Sequence, residues 1–185
     1  MFVTYVCRRI PTAPTPYASS LKMLIFQQLE SGAEAVVGSV HYSYDYDDCT
    51  DVEITWGKGK LCYRELYIPG VKCHPFFSQA LGEEEIATVY EFERQNFLQW
   101  SDRMFQVRCE RTGGQPGAVS VYAYDRQAQT QRFCLEPILR IQPQAWGEAL
   151  TWTARIPASY PTQLRMILAT SPLTLNSQAY LNPVW

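Results

Sequence analysis

Eleven consecutive residues bring together many of the side chains in this sequence that could do acid–base or metal chemistry. The segment HYSYDYDDCTD, residues 41–51, contains one histidine, one serine and four aspartates. His41, Ser43 and Asp45 alternate with tyrosines, and such alternation is typical of a β-strand. Residues two apart on a strand are separated by about 6.6 Å, which is too far for a hydrogen-bonded catalytic triad. The spacing therefore excludes a triad built from this strand alone.

The same aspartates do not have the spacing of a calcium site. A loop of the EF-hand type needs a central glycine and a closing glutamate, whereas a loop beginning at Asp45 contains no glycine and ends at Trp56. The chain has six cysteines but no C-x-x-C pair, so a structural zinc site is not indicated. We therefore predict no metal site, and we interpret Asp47, Asp48 and Asp51 as part of a solvated acidic turn.

Cys73 and His74 are the second group of side chains with chemical potential. An imidazolium close to a thiol lowers the thiol pKa and makes the sulfur nucleophilic. Neighbouring residues in an extended segment point to opposite sides, so contact within this pair requires the loop PGVKCHP, residues 69–75, to turn. We name Cys73 and His74 as candidate catalytic residues. The alternative is a buried structural thiol beside a loop histidine.

Composition argues against several classes of function. The chain has 185 residues and a formal net charge of -2 from 16 basic and 18 acidic residues, so no large electrostatic field would attract nucleic acid. The sequence contains no run of about 20 apolar residues that could cross a bilayer, and its start lacks the basic-then-apolar order of a secretory signal. We therefore expect a cytoplasmic protein with reduced cysteines, no membrane insertion and no nucleic-acid partner.

One helix is predicted near the N-terminus. Leu21, Leu24 and Ile25 recur at helical spacing. Thr15 precedes them as a residue that can cap a helix, and Gly32 follows as a residue that can end one. A lone helix of this length is marginal in water, so its apolar side is expected to pack on a sheet.

Strands are predicted for most of the remaining chain, because the apolar period there is two. Residues 36–68 are expected to form a meander with a tight turn at GKGK, and the following PGVKCHPFFSQALG to form a loop. Further strands are predicted for EIATVYEFE, RMFQVRCER, AVSVYAYD and ALTWTARI, and a short helix for YPTQLRMILATS. We expect one domain, residues 1–185, of the α+β class, with the N-terminal helix on a curved antiparallel sheet or barrel of about seven to nine strands.

The tyrosines of the first segment are the candidate binding residues. Tyr42, Tyr44 and Tyr46 share one face of the predicted strand, and His41 lies on the other. Aromatic rings are often core residues, but tyrosines concentrated on one face also suit a ligand cavity or a protein-binding surface. We expect Tyr44 to be structural and Tyr46 to be accessible to a partner.

One segment resembles a known group of folds. VYEFERQNFLQWSDRMFQVR, residues 89–108, together with a helix before a long meander, resembles the calycin-type barrels that include lipocalins and the bilin-attaching lyases. The resemblance implies a barrel and, as one alternative function, a lyase that acts on a bound tetrapyrrole. It implies no particular functional residue.

Three functional hypotheses follow. The first is a non-enzymatic binding or assembly protein that presents an aromatic face or cavity to a protein partner or a flat apolar ligand. The second is a barrel-type lyase or transferase in which Cys73, His74 or the pair Asp45 and Asp47 supplies acid–base groups. The third is a structural subunit of a larger complex. The sequence does not identify a cofactor or decide whether the protein is an enzyme.

Overall fold

The computed structural model consists mostly of antiparallel strands. It describes residues 1–11, 18–45, 49–65, 76–79, 85–92, 95–112, 115–125, 132–145 and 150–174. The elements are β1 Phe2–Ile10, β2 Ala18–Gln28, β3 Glu34–Asp45, β4 Cys49–Trp56, β5 Gly59–Glu65, β6 Phe76–Gln79, β7 Glu85–Phe92, β8 Gln95–Trp100, β9 Arg103–Thr112, β10 Gln115–Asp125, β11 Arg132–Phe133, β12 Leu139–Ala145, β13 Thr151–Pro157, α1 Thr162–Ala169 and α2 Ser171–Thr174.

The strand pairings follow the chain for most of its length. From β1 to β10 each strand pairs with the next, and β10 then pairs with β12, β12 with β13, and β13 with β1. Twelve of the thirteen strands therefore form a circuit of hydrogen-bonded neighbours. The remaining strand is the short β11, which pairs only with β10. The predicted curved antiparallel sheet is confirmed, and the predicted count of about seven to nine strands was too low.

The predicted N-terminal helix is wrong, because its residues form β2. Leu21, Met23 and Ile25 are buried on one face of this strand, while Leu24 and Phe26 lie on the other face and are half-buried. Apolar residues on both faces of a strand also occur at helical spacing, which is why the pattern was ambiguous. Pairing with β1 and β3 on either side satisfies the backbone of β2 and decides in favour of the strand.

Two further elements differ from the sequence-based expectation, and a third matches it. The segment predicted as a loop after β5 contains the short strand β6. The segment between the predicted strands EIATVYEFE and RMFQVRCER, residues 94–102, contains a further strand, β8. The short helix predicted from YPTQLRMILATS is confirmed as α1, so the described helices lie near the C-terminal end of the chain.

The predicted turn at GKGK is confirmed, and it depends on glycine. Gly57 adopts a positive φ of 47°, which an L side chain rarely adopts. The ring of Trp56 lies over Gly59, where an added Cβ would come within 2.2 Å of the ring. Glycine at position 59 therefore lets the indole pack flat against the hairpin, and the half-buried Trp56 contributes to the edge of the core.

The core lies between the inner face of the sheet and the two helices. We define the inner face as the one that carries Cys7 and Trp152, both with no exposed surface. The indole Nε1 of Trp152 donates a hydrogen bond of 2.8 Å to the carbonyl of Ala169 at the end of α1. The thiol of Cys7 lies 3.7 Å from the same carbonyl oxygen. These contacts hold α1 and α2 against the inner face, where every residue of α2 is buried.

Replacing Trp152 with phenylalanine should destabilise the protein strongly. The change removes the indole donor to Ala169 and leaves a void beside the helix, so we expect a loss of about 2 to 4 kcal/mol in the free energy of unfolding. The half-buried Trp56 is the matched control, and its replacement by phenylalanine should cost less than about 1.5 kcal/mol. Chemical denaturation of both variants measures the difference; equal losses would contradict a special role for Trp152.

Candidate functional site

The tyrosine face predicted to bind a partner lies partly on the inner face of the sheet. Tyr42 is only 2% exposed and sits between Leu21 of β2 and Val52 of β4, both buried in the same core. Of Tyr44 only the backbone, in β3, is described, and Tyr46 lies outside the described residues. Tyr42 is therefore a core residue in this structure, and the binding role of the other two stays a prediction.

His41 lies on the outer face of β3 and is exposed. Its cross-strand neighbours are Lys22 of β2 and Glu53 of β4. Glu53 forms a 2.6 Å ion pair with Lys60, so this row is a solvent-facing charged stripe. Within the ranges that the structure describes, no three histidine, cysteine or acidic side chains are grouped so that they could hold a metal ion.

The candidate catalytic pair cannot be placed. Cys73 and His74 lie outside the described residues, as do Asp47 and Asp48, and only the backbone of Asp45 is described. Their predicted roles stay predictions.

The described thiols differ in burial. Cys7, Cys62 and Cys134 are free cysteines, and Cys7 is fully buried while the other two are half-buried. Burial raises the pKa of the Cys7 thiol to about 12, and the hydrogen bond with Trp152 only partly opposes that shift. A thiol that stays protonated is a poor nucleophile, so Cys7 has the properties of a core residue.

The raised pKa of Cys7 predicts a specific loss of stability in alkali. Between pH 9.0 and about 12 the unfolded chain loses the Cys7 proton while the folded chain keeps it, so this group's contribution to stability falls as the pH rises. The free energy of unfolding, measured by denaturation across that window, should fall less steeply with pH for Cys7→Ala than for the wild type. Cys62→Ala is the control and should keep the wild-type slope; if the two variants behave alike, the difference in burial does not matter.

Exposed apolar side chains gather at one end of β1, β2 and β3. The described residues include five exposed large hydrophobic side chains, and all but Leu135 belong to this end. They are Met1, Phe2, Leu29 and Val36. Contiguous exposed apolar groups with polar residues around them are typical of protein-binding sites.

The cross-strand register places a row of apolar residues on the outer face at this end. Val6 of β1 pairs with Phe26 of β2, and Phe26 pairs with Val36 of β3. Val6 is 8% exposed beneath its neighbours, whereas Phe2 is 54% and Val36 is 58% exposed. We call Phe2, Val6, Phe26 and Val36 the outer patch. Its centre is packed and its two ends are open to solvent.

Charged side chains stand at the rim of the outer patch. Arg8 lies 4.7 Å above the ring of Phe26 and forms two hydrogen bonds with the carboxylate of Glu34, of 2.5 and 2.8 Å. Arg155 of β13 lies 5.2 Å above the ring of Phe2. Arg155 forms no ion pair with any residue that the structure describes. The rim therefore offers a cation that is held against an aromatic ring and is not neutralised there.

A second group of aromatic rings on the outer face packs mainly against itself. The rings of Phe97 and Tyr124 lie 5.7 and 5.2 Å from the ring of Phe133. Arg108 stacks 4.5 Å above Tyr122. Phe97 is 9% exposed and the other three rings are half-buried, so these rings mainly bury one another. This group stabilises the junction of β8, β10 and β11.

Sequence reasoning missed the outer patch because β2 was predicted as a helix. Once β2 is a strand, the even-numbered positions of β1 and β2 share the outer face. The signal that could have found the patch is that β1 has apolar residues at both alternations, although a strand buried on both faces has the same pattern.

Comparison with known proteins gives no relative. No family model, curated protein or solved structure matches the chain. The resemblance to calycin-type barrels is therefore not confirmed. No described helix has the length and apolar content needed to span a membrane.

The inward position of Tyr42 can be tested by comparing the stability cost of its removal with that of its exposed neighbour His41. Replacing Tyr42 with alanine should reduce the free energy of unfolding by about 3 to 5 kcal/mol, as for a buried phenylalanine. Replacing His41 with alanine, one residue away on the outer face, should change it by less than about 0.5 kcal/mol. Denaturant titrations of both variants check this; a small loss for Tyr42→Ala would show that its ring is not part of the core.

Proposed function

We propose that this protein is a non-enzymatic binding protein that contacts a protein partner through the outer patch. The observation that carries the proposal is the row Val6, Phe26 and Val36, which continues from a packed centre to an exposed end. An apolar row that is packed at its centre and exposed at one end is expected of a surface that a partner buries when it binds.

The charges around the patch favour a partner with carboxylates at its rim. Arg155 is an arginine stacked on an aromatic ring, and arginine and aromatic residues are enriched in protein interfaces. Lys22 is also exposed on the outer face of β2, and Glu34 is already paired with Arg8. Arg155 is therefore the cation at the rim of the patch that has no acidic partner among the described residues, and a carboxylate on a partner would be attracted to it.

A protein partner fits this surface better than nucleic acid does. Nucleic-acid binding draws most of its affinity from many phosphate contacts, whereas the rim combines few cations with an apolar centre. Burial of that centre against a partner's apolar side chains would supply the free energy of binding, and the rim would supply orientation. The lyase or transferase alternative depends on Cys73, His74 or the pair Asp45 and Asp47, and it stays a prediction.

Site-specific photo-crosslinking would identify the partner and test the surface. A photoreactive residue in place of Val36 should capture the partner in cells, and one in place of the exposed Gln99 of β8 should not. With the captured protein purified, Val36→Asp should weaken binding by at least about 2 kcal/mol, because it puts a charge into the apolar contact surface. Its free energy of unfolding should change by less than about 1 kcal/mol, because Val36 is exposed.

Gln99→Asp is the matched control, since it adds the same charge to an exposed outer position far along the circuit of strands. It should bind the purified partner as the wild type does. Equal capture at positions 36 and 99, or wild-type affinity in Val36→Asp, would show that the outer patch is not the contact surface.

A further inference from the structure

Two exposed side chains of opposite charge lie on either side of the outer patch. Arg155 of β13 and Gln28 of β2 both pair with Thr4, one on each side of β1. Glu30 follows Gln28 by two residues, in the turn that joins β2 and β3, and its side chain is exposed. Neighbouring strands are about 4.8 Å apart. Arg155 and Glu30 therefore lie at the same end of the patch, on opposite sides of β1.

Neither of these two charges is paired within the described part of the chain. Arg155 and Glu30 form no ion pair with any residue that the structure describes. The other charges at this end, Arg8 and Glu34, pair with each other, and the guanidinium of Arg8 lies on the ring of Phe26. Contact with a partner would therefore leave no isolated charge above Phe26. Arg155 and Glu30 are the charges at this end that a partner can pair.

This distribution of charge is self-complementary. In an interface with two-fold symmetry the same surface is used twice, so that a contact between residues i and j is matched by one between j and i. A two-fold axis in the contact plane, parallel to the strands and between β1 and β2, places β1 of one copy over β2 of the other and β13 over β3. Val6 of each copy then meets Phe26 of the other, and Arg155 comes to the β2–β3 turn, where Glu30 lies.

We propose that the partner of the outer patch is a second copy of this chain, in a dimer with two-fold symmetry; this inference rests on the proposed function of the patch. Val6, Phe26 and Val36 of the two copies form the apolar contact, and Arg155 of each copy pairs with Glu30 of the other. A second copy supplies both the carboxylate and the cation that the surface requires. Because the sheet is curved, only a few strands of each copy touch, and we expect a dissociation constant in the micromolar range.

Sedimentation velocity of the purified chain across the micromolar range tests the dimer. The sedimentation coefficient should rise with concentration from that of a monomer to that of a dimer. A photoreactive residue at position 36 should crosslink the purified chain to itself, and one in place of the exposed Gln99 should not. A chain that stays monomeric overturns this inference. If position 36 then still captures another protein in cells, the outer patch remains a contact surface and the proposed function stands.

Charge reversal tests the pairing of Arg155 with Glu30. Arg155→Glu and Glu30→Arg should each weaken self-association by about tenfold or more, because the symmetry brings like charges together twice. An equimolar mixture of the two variants should dimerise about as well as the wild type, because each variant has the charges that the other requires. Wild-type dimerisation of both single variants, or a mixture that dimerises no better than they do alone, would overturn the pairing.

Arg108→Glu is the matched control, because Arg108 is also an exposed arginine stacked on an outer aromatic ring but lies on β9. It should dimerise as the wild type does. Thermal melts of the three variants at low concentration should agree closely with that of the wild type, because all three positions are exposed. Equal weakening by Arg108→Glu and Arg155→Glu would show that net charge controls self-association, and would overturn the assignment to Arg155.

Discussion

The hydrogen bond from Trp152 to the carbonyl of Ala169 fixes the end of α1 against the inner face of the sheet. Side chains alone fill the space inside a circuit of about eight strands. Twelve strands here form such a circuit, so additional chain is needed to cover the inner face. The helices α1 and α2 supply it, and their burial places Leu164, Ile167 and Leu168 in the same core as the strand residues. Inward side chains of the sheet therefore pack against helix residues as well as against one another.

The division between an inner and an outer face separates two kinds of aromatic residue. Tyr5, Tyr42 and Tyr63 point inward and are buried. Phe2 and Phe26 point outward, and both carry an arginine stacked on the ring. An inward tyrosine contributes to folding stability, whereas an outward aromatic held by a cation is available to a partner. The face on which a residue lies therefore matters more for function than its type.

Two arginines at opposite faces illustrate different uses of a charge without an acidic partner. Arg155 is on the outer face, where water screens its charge and a partner can reach it. Arg165 has a buried Nε in a helix turn that already carries partial positive charge, so the absence of an acceptor is more costly there. The cost of an arginine without an acidic partner therefore depends on how much of its guanidinium is buried.

The sequence by itself determined the antiparallel character of the protein. Alternation in residues 36–68 correctly predicted β3, β4, β5 and the turn at Gly57, because neighbouring strands pair through residues close in sequence and the β4–β5 turn has a glycine at a positive φ. The short helix α1 was also predictable, since its apolar residues recur within a few positions. Local periodicity was sufficient wherever only one period fitted the residues.

Only the tertiary structure decided the identity of β2 and the side on which each tyrosine lies. The residues of β2 fit both a helix and a strand, and pairing with β1 and β3 resolved the ambiguity. The pairing of β1 with β13 joins residues more than a hundred positions apart, and it places Arg155 beside Phe2 and Trp152 beside Cys7. Sequence patterns report local periods, whereas these sites depend on contacts between distant segments, whose energies appear only when the sheet is assembled.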